Sequence, residues 1–277
     1  MNDEPARKRI LVKYGGNAMT DDALRARVLA DVAVLRRSGH RIVLVHGGGP
    51  AIAEILDEVG LQSEFVGGHR RTDGSTIRYV QMALRGRVNG DLVRVLSAAG
   101  EPAVGLSGKD AGMVRAARRT HRDPEDAEAR EVDLGFVGDV AHVDTRLLDQ
   151  LLDGGFLPVV APLALGDDGE DYNVNADMFA GHLAAAMRAD LFVALTDVDG
   201  LRRDPEDPAS VIRRADRAEI RSLMGTSIRG GMIPKIEACL VALEGGVKTA
   251  RIVDGTQEGS LPAAVAGDPD RGTEITP

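Results

Sequence analysis

Three of the chain's five lysines stand among glycines, although arginine supplies most of its 34 basic residues. They are Lys13 in VKYGGN, Lys109 in LSGKDAG and Lys235 in RGGMIPK. Glycine lets backbone N–H groups approach a bound oxygen closely, and a lysine ammonium adds a compact positive charge on a flexible stem. This combination suits phosphate groups, so we predict phosphate contacts for Lys13 and Lys235. For Lys109, a phosphate contact and an ordinary turn are both open.

A second candidate for anion binding is HGGGP at residues 46–50. It follows an apolar, strand-like run and precedes a segment with helical periodicity, a context that predicts a phosphate or carboxylate cradle at a helix N-terminus. The sequence contains neither GxxxxGKS nor GxxxxGKT, and no GxGxxG motif follows its first apolar run. The usual P-loop and dinucleotide-binding signatures are therefore excluded, and a bound nucleotide must be held in another way.

The elements that must position these residues are indicated by apolar runs rich in Val, Ile and Leu. Such continuous runs fit strands buried on both faces, as in a mostly parallel sheet covered by helices. The runs occupy residues 10–13, 41–45, 101–106, 156–163, 190–196 and 250–254, and segments with helical periodicity occupy residues 21–37, 50–59, 73–98, 144–153, 176–188 and 231–245. This alternation predicts a three-layer α/β/α sandwich with an open, mainly parallel sheet.

Two regions interrupt the alternation. Residues 113–143 lack a clean helical pattern, and VDLGFVGDVAHVD predicts a β-hairpin there. Residues 202–216, which include DPEDP, predict a surface loop.

Four polar turns, GGNAMTDD, HGGGPA, SGKDAG and TDVDGL, follow the first, second, third and fifth apolar runs. We predict that each turn opens a helix. Because the carboxyl ends of parallel strands share one edge of a sheet, the turns together predict a single ligand site.

Composition restricts the partners and the compartment. A net charge of -9 at pH 7 excludes nucleic acid as the main partner, since a phosphate backbone requires a positive surface. No apolar stretch reaches the ~18 residues of a membrane span, and MNDEPARKR has no signal-peptide core, so we predict a soluble, cytoplasmic protein.

Cys239 is the only cysteine, and its helical context predicts a buried thiol rather than a nucleophile.

Eight motifs occur in an order and approximate spacing that resemble the amino acid kinase family. They are VKYGG (12–16), HGGGP (46–50), GHRRTD (68–73), GLSGKDAG (105–112), VDLGFVGDV (132–140), YNVNAD (172–177), LTDVDGL (195–201) and GGMIPK (230–235). The resemblance continues to the terminal GTEI and so covers nearly the whole chain. It implies a sheet of eight or so strands, an N-terminal lobe at residues 1–175 for amino-acid binding and dimerisation, and a C-terminal lobe at residues 176–277 for ATP binding.

Within this family the likeness is greatest to members that phosphorylate the side-chain carboxylate of N-acetyl-L-glutamate in arginine biosynthesis. The implied reaction uses ATP with Mg²⁺ and yields N-acetyl-L-glutamyl 5-phosphate and ADP. A carboxylate nucleophile is already ionised at neutral pH, so no general base is needed. The reaction requires instead that two anions be held in line and that the charge on the transferred phosphoryl group be balanced. The sequence shows no clustered metal motif, and Mg²⁺ is expected to keep mostly water and phosphate ligands.

The resemblance also implies a role for individual residues. Lys13 and Lys235 would contact the transferred phosphoryl group, and Asp177 would orient both ammonium groups and keep them charged. Gly15 and Gly16 would approach the phosphoryl group with their N–H groups. The acceptor would be held by Gly48, Gly49, Arg70 and Asn173. The nucleotide would be held by Asp197, Val198, Asp199, Gly200, Leu201, Arg202, Ser227, Ile228 and Arg229.

The motif around Arg70 departs from the family's GLRVT pattern. His69 stands where an apolar residue is usual, Arg71 stands where valine is common, and Gly90 stands where lysine usually follows VN. These departures bear on the identity of the acceptor rather than on the chemistry. Arg70 and Arg71 are both candidates for the bidentate carboxylate clamp, and the spacing to the TD pair that follows favours Arg70.

Two other functions compete with this one. The related kinase of lysine biosynthesis acts on aminoadipate or glutamate attached to an acidic carrier protein, and the basic run RAARRTHR at residues 115–122 could dock such a carrier, although a solvated loop explains the run as well. VDLGFVGDV and YNVNAD are more similar to the members that act on acetylglutamate. A non-catalytic ATP or amino-acid sensor would be expected to lose one of Lys13, Asp177 and Lys235, and all three are present.

We expect a homodimer formed through the N-terminal lobe, with weak or no inhibition by arginine. Arginine-inhibited members of the family carry an extra N-terminal helix that joins dimers into a ring. Here nine residues precede Ile10, and MNDEPARKR has no apolar stripe that would favour such a helix.

Overall fold

An eight-stranded sheet forms the centre of the molecule. The computed structural model describes residues 7–15, 19, 21–122 and 131–277. The sheet consists, in spatial order, of β12 (Arg214–Asp216), β14 (Thr273–Thr276), β13 (Thr249–Asp254), β11 (Leu191–Thr196), β1 (Arg9–Tyr14), β2 (Arg41–His46), β8 (Leu157–Ala161) and β5 (Ala103–Ser107). The pair of β13 and β14 is antiparallel, and the other neighbouring pairs are parallel. The predicted open, mainly parallel sheet is confirmed.

Helices cover both faces of this sheet. They are α1 (Asp22–Arg37), α2 (Gly49–Glu58), α3 (Thr76–Gln81), α4 (Asn89–Ala98), α5 (Arg146–Asp153), α6 (Ala176–Ala186), α7 (Arg217–Ser222), α8 (Met232–Glu244) and α9 (Ser260–Ala266). Successive residues of β1 point to opposite faces: Leu11 joins a core shared with α6 and α8, whereas Ile10 and Val12 join a core shared with α1 and α9. Because both faces are buried, the strand is apolar throughout, and the predicted three-layer α/β/α sandwich is confirmed.

The helix predicted at residues 73–98 is divided into three parts. Between α3 and α4, residues Met82–Val88 form a π-helix, which widens the turn and rotates the side chains that follow. Leu84 and Val88 of this segment lie against Gly48, where a Cβ atom would come within 2.6 Å of Leu84 and 3.3 Å of Val88. The π-helix therefore supports the glycine-rich turn that follows β2.

A second, smaller sheet corrects the hairpin prediction. VDLGFVGDVAHV belongs to a single long strand, β7 (Glu131–Val143), which pairs antiparallel with β6 (Val114–Arg122). With β9 (Leu163–Gly166) and β10 (Asp171–Val174) these strands close into a small barrel. The segment VDLGFVGDV does not turn back on itself because Gly135, with φ at 75°, instead lies against the Thr72 backbone. A final two-stranded hairpin joins β3 (Phe65–Val66) and β4 (His69–Arg70).

The prediction that each polar turn opens a helix is correct for two of the four turns. GGNAMTDD leads into α1, and Asp21 of this turn caps the helix by accepting a hydrogen bond from the Leu24 N–H group. HGGGPA opens α2, as expected. The residues 16–18 and 20 of the first turn lie outside the described residues. SGKDAG opens only a three-residue 3₁₀ turn at Asp110–Gly112, and TDVDGL leads into the predicted surface loop, which ends in β12. In the part of the chain that the structure describes, no helix has both the length and the hydropathy of a membrane span.

Candidate active site

A cleft of about 560 Å³ lies at the carboxyl ends of β1 and β2, and we call it the central cleft. Six of the residues assigned from the sequence line it: Lys13, Gly48, Gly49, Arg70, Asn173 and Asp177. Further lining comes from the β3–β4 hairpin through Phe65, Gly68 and His69. The fold therefore brings together residues that are up to 164 positions apart in the sequence, between Lys13 and Asp177.

A buried charged triad lies at the base of the central cleft. The Nζ atom of Lys13 is 2.9 Å from Oδ1 of Asp177, and the Nζ atom of Lys235 is 3.5 Å from Oδ2 of the same carboxylate. The exposed fractions are 5% for the Lys13 side chain, 8% for Asp177 and 19% for Lys235. One carboxylate thus holds two ammonium groups from opposite ends of the chain, and Lys235 is the more accessible of the two.

Local structure explains why the triad forms. Lys13 is the penultimate residue of β1, and Asp177 lies in the first turn of α6, where the helix dipole favours a negative charge. Asn175 caps this helix, and its side-chain oxygen accepts hydrogen bonds from the N–H groups of Asp177 (2.9 Å) and Met178 (3.2 Å). The cap fixes the direction in which the Asp177 carboxylate leaves the helix.

The approach of Lys235 depends on a glycine that sequence reasoning missed. Gly181 lies one turn after Asp177 on α6, and a Cβ atom there would come within 2.6 Å of the Ala238 carbonyl oxygen on α8. The two helices therefore touch backbone to backbone, one turn from the contact between Lys235 and Asp177. A glycine inside an otherwise apolar helical pattern is the sequence signal for such a close contact.

The charges within the triad shift the pKa values of its members. Burial raises the pKa of Asp177, but the adjacent charges of Lys13 and Lys235 outweigh burial and hold the pKa below its ordinary value. Burial lowers the pKa of Lys13; the charge of Lys235 lowers it further, and Asp177 opposes both. Asp177 is therefore ionised at neutral pH, and an incoming anion would stabilise the Lys13 ammonium in place of lost hydration.

Gly15 leaves room for the Lys13 side chain. A Cβ atom on Gly15 would lie 2.7 Å from Nζ of Lys13, so any larger residue would displace the ammonium group. Gly16, the other residue assigned to the phosphoryl group, lies outside the described residues. The glycine at position 15 is thus required by the lysine itself, in addition to any contact with a ligand.

Gly48 and Gly49 begin α2 at the mouth of the central cleft. The first N–H groups of a helix have no partner within the helix and suit an anionic ligand. Gly49 is open to the cleft, since no heavy atom of the described residues lies within 4 Å of a Cβ atom built there. The motif therefore opens a helix at the edge of the central cleft, and its role as an anion cradle stays a prediction.

A buried histidine supports this turn, and sequence reasoning had given it no role. His46, fully buried at the end of β2, has Nδ1 2.7 Å from the Gly47 carbonyl oxygen and Nε2 3.0 Å from Nδ2 of Asn89. A carbonyl oxygen only accepts, so Nδ1 carries the proton and Nε2 accepts from Asn89. Burial lowers the pKa of His46 to about 4, which keeps the ring neutral. Asn89 also donates to the Val159 carbonyl oxygen (2.9 Å), so the glycine turn is tied to the sheet.

The two arginine candidates have different environments. Arg70 is buried in the central cleft, with its guanidinium 4.7 Å from the centre of the Phe65 ring and hydrogen-bonded to the Ser63 hydroxyl. Burial lowers its pKa below the ordinary value. Arg71 points away from the cleft and pairs with Glu64 at 3.1 Å on the surface. Only Arg70 of the two lines the cleft.

A second cleft, of about 480 Å³, lies beyond the carboxyl end of β11, and we call it the C-terminal cleft. Six residues that the sequence analysis assigned to the nucleotide line it: Val198, Gly200, Leu201, Arg202, Ser227 and Arg229. The other three do not. Ile228 is fully buried in the core, Asp199 pairs with Arg213 at 3.0 Å, and Asp197 accepts a hydrogen bond from Thr196 at 3.3 Å.

Helix α8 connects the two clefts. Met232, in its first turn, lines the C-terminal cleft, and Lys235, three residues later on the same face, reaches Asp177 at the base of the central cleft. A ligand in the C-terminal cleft that extends along α8 would reach the triad. The third glycine-flanked lysine is placed elsewhere: Nζ of Lys109 lies 2.7 Å from Gln81 and 2.9 Å from Asp171, and Lys109 lines neither cleft.

The chain was compared with known proteins. Residues 8–254 match the family described as the amino acid kinase family. The chain belongs to this family. It is 46% identical to an acetylglutamate kinase of Symbiobacterium thermophilum, over 97% of this chain and 91% of that protein. It is 45% identical to an acetylglutamate kinase of Pelotomaculum thermopropionicum, over 97% of this chain and 92% of that protein.

A solved structure shares the fold of this family member. N-acetylglutamate synthase from Neisseria gonorrhoeae, complexed with coenzyme A and N-acetyl-glutamate, superposes with a TM-score of 0.81 at 24% identity. The match covers 98% of this chain and 60% of the synthase chain, so the synthase has a large part with no counterpart here. At this level of identity the likeness supports the fold alone.

Proposed function

We propose that this chain transfers the γ-phosphoryl group of ATP to the side-chain carboxylate of N-acetyl-L-glutamate. The observation that carries the proposal is the buried triad of Lys13, Asp177 and Lys235 at the base of a cleft with a glycine turn and an arginine. Two acetylglutamate kinases at 46% and 45% identity, matched over nearly their whole length, support the choice of acceptor.

In this proposal the acceptor lies in the central cleft. Arg70 clamps its α-carboxylate, and Asn173 donates to the same molecule. The N–H groups at Gly48 and Gly49 hold the attacking end of the acceptor near the triad. The side-chain carboxylate is ionised at neutral pH, so the site needs no base, which fits a neutral and buried His46.

ATP lies in the C-terminal cleft, with its phosphates directed along α8 towards the triad. As the carboxylate oxygen attacks, negative charge spreads over the transferred phosphoryl group, and the ammonium groups of Lys13 and Lys235 balance that charge. Asp177 contacts both lysines and orients their ammonium groups. Gly15 and Gly16 donate N–H groups to the phosphoryl oxygens.

Mg²⁺ accompanies the nucleotide in this proposal. Among the described residues, no group of three or more His, Cys, Asp or Glu could hold a metal ion. Mg²⁺ is expected to be held mostly by phosphate oxygens and water rather than by a protein cage. When bound, Mg²⁺ would neutralise part of the negative charge on the ATP phosphates.

We also propose that the two substrates bind to different lobes, and we propose an oligomeric state. Residues 1–175 carry the acceptor site and residues 176–277 carry the nucleotide site, with Asp177 and α8 at the boundary. A homodimer formed through the N-terminal lobe is the proposed assembly, with weak or no inhibition by arginine. Light scattering combined with an arginine titration of activity tests both; a hexamer inhibited by submillimolar arginine would contradict them.

A direct assay tests the activity. ADP release is measured with N-acetyl-L-glutamate, L-glutamate and N-acetyl-L-aspartate, and the acyl phosphate is trapped with hydroxylamine as a hydroxamate. We expect ADP and hydroxamate in equal amounts with N-acetyl-L-glutamate and little of either with the other two acceptors. Hydroxamate formed only from glutamate linked to an acidic carrier protein would favour the kinase of lysine biosynthesis. ATP binding without ADP release from any acceptor would favour a sensor.

A further inference from the structure

A buried threonine hydroxyl lies between the two ends of the loop that borders the C-terminal cleft. We call residues 202–211 the cleft loop, because Arg202, Asp204, Pro205 and Glu206 of this segment line the cleft. The loop leaves the fold after Leu201 and returns at Ile212, both of which are buried. Contacts at these two residues therefore hold the ends of the loop.

Leu201 and Ile212 form only one of the two backbone hydrogen bonds expected of an antiparallel pair. The Ile212 N–H group donates to the Leu201 carbonyl oxygen at 2.8 Å, as in an antiparallel ladder. In such a ladder the Leu201 N–H group would donate back to the Ile212 carbonyl oxygen. Instead it donates to Oγ1 of Thr273 at 2.7 Å, and the Thr273 hydroxyl donates to the Ile212 carbonyl oxygen at 2.6 Å. One hydroxyl therefore stands in the place of the second ladder bond.

The position of this hydroxyl is fixed by tight backbone contacts. Thr273 is fully buried and begins β14, where it pairs with Ile252 of β13. At Gly272, with φ at 72°, a Cβ atom would lie 2.1 Å from the Ile252 carbonyl oxygen. At Gly200, with φ at 97°, a Cβ atom would lie 2.6 Å from Oγ1 of Thr273. Glycines on both sides allow β14 and the turn before the cleft loop to approach closely.

We propose that Thr273 is a positioning residue for nucleotide binding. Its hydroxyl joins both ends of the cleft loop to β14 and so sets the shape of the C-terminal cleft, without being among the residues that line it. The inference rests on the proposed function, in which the C-terminal cleft binds ATP. The inference adds that a residue of β14, outside the C-terminal cleft, influences the affinity for the nucleotide.

Two substitutions at position 273 test the proposal. Thr273→Val keeps the shape of the side chain and removes both hydrogen bonds, whereas Thr273→Ser keeps the hydroxyl. We expect Thr273→Val to raise KM for ATP about tenfold and to leave KM for N-acetyl-L-glutamate within about twofold, because two polar backbone groups at the ends of the loop lose their partner. Thr273→Ser should restore both constants to within about twofold of the wild type. An equal rise in both KM values, or no rise in either, would overturn the proposal.

Two measurements that do not depend on turnover accompany the kinetics. Trypsin cleavage after Arg202 and Arg203 reports the order of the cleft loop, and calorimetry with ADP and Mg²⁺ reports affinity for the nucleotide. Thr273→Val should be cleaved about tenfold faster at these sites and bind ADP more weakly, and Thr273→Ser should match the wild type. If the chain phosphorylated no acetylglutamate, the proposed function would fail while these two measurements still decided the role of Thr273.

A second variant covers the case in which Thr273→Val does not fold. Thr273→Ala leaves space for water to solvate the two backbone groups, so it is expected to fold and to show the same selective loss of nucleotide affinity. Thermal unfolding of each variant is measured first. A folded Thr273→Ala protein with wild-type trypsin cleavage and wild-type ADP affinity would overturn the proposal.

Discussion

The central cleft and the C-terminal cleft are built in different ways. In the central cleft, charged side chains leave strand ends and helix N-termini and are buried, with 5% of the Lys13 side chain and 8% of Asp177 exposed. The C-terminal cleft is bordered by a surface loop, where 61% of the Arg203 side chain is exposed and hydroxyl groups hold the backbone. The charges proposed to balance a transition state are buried and paired, whereas the region proposed to bind the nucleotide depends on the contacts that hold a surface loop.

The largest effect should follow from removing one charge of the triad. Lys13→Met keeps the length of the side chain without its charge, and we expect kcat to fall by about 100-fold to 1,000-fold, as when one preorganised donor to a developing charge is lost. Lys13→Arg and Lys235→Arg keep the charge but replace a point charge with a planar fork, and kcat should fall by at least about tenfold. Steady-state kinetics at saturating ATP and acceptor measure the effect.

The control for these variants is Lys248→Arg. Lys248 also pairs with an aspartate, Asp190, at 2.6 Å, but 77% of its side chain is exposed and it lies in neither of the two clefts. Its turnover should be that of the wild type. Near-normal turnover of Lys13→Arg or Lys235→Arg would remove that lysine from the catalytic role and would weaken the contrast between the two clefts.

The next effect should follow from weakening the proposed clamp on the acceptor in the central cleft. Arg70→Lys turns a bidentate clamp into a single contact worth about 1 to 3 kcal/mol less, so KM for N-acetyl-L-glutamate should rise about tenfold while KM for ATP changes little. Arg71→Lys is the matched control, since Arg71 pairs with Glu64 on the surface. If Arg71→Lys gave this pattern and Arg70→Lys did not, the assignment of the clamp would be wrong by one residue.

A third prediction tests whether His46, which contacts the glycine turn, stays neutral in the folded protein. His46 has a pKa of about 4 in the folded protein, against an ordinary value of 6.5, so between these values the unfolded chain binds the extra proton. Stability should therefore fall as the pH is lowered through this window, by about 2 kcal/mol for this residue between pH 7.5 and pH 5. Urea unfolding of the wild type and of His46→Asn at both pH values measures the difference.

Asparagine at position 46 does not titrate, and its amide can still donate to the Gly47 carbonyl oxygen. The His46→Asn variant should lose about 2 kcal/mol less stability than the wild type over the same pH change. The exposed His142 provides the control, and His142→Asn should follow the wild type. Identical pH dependence of all three proteins would show that His46 titrates freely and that the turn is not held by a neutral ring.

The smallest effect should come from a single hydroxyl at the C-terminal cleft. Ser227 donates to the Arg203 carbonyl oxygen at 2.5 Å, and Ser227→Ala should raise KM for ATP by about twofold to fivefold, the range expected for one hydrogen bond. Ser222→Ala is the control, because Ser222 makes an equivalent bond to the Glu219 carbonyl oxygen outside the cleft. A tenfold loss of kcat in Ser227→Ala would contradict the contrast, since it would give the loop a part in the chemistry.

Much of the fold could be predicted because a strand buried on both faces has to be apolar throughout. The runs at 10–13, 41–45 and 190–196 became β1, β2 and β11, and their neighbours covered both faces as expected. The small barrel was not predicted. Its strand β6, VRAARRTHR, has no apolar run, and basic residues on it pair with acidic residues of β7, as Arg118 does with Asp133 at 2.7 Å. A strand stabilised by cross-strand ion pairs gives no hydrophobic period to detect.

For the candidate site, the sequence determined which residue types stand at the strand ends, because glycines, lysines and an aspartate in eight ordered motifs are local features. It left open whether Lys109 also contacts phosphate, since all three lysines lie among glycines. The tertiary structure decided this. Lys109 reaches Asp171 and Gln81, whereas Lys13 and Lys235 meet at Asp177 because Gly181 lets α6 and α8 touch. The sequence carries the charges, but their environment depends on contacts between segments far apart in the chain, and only the packed fold brings those segments together.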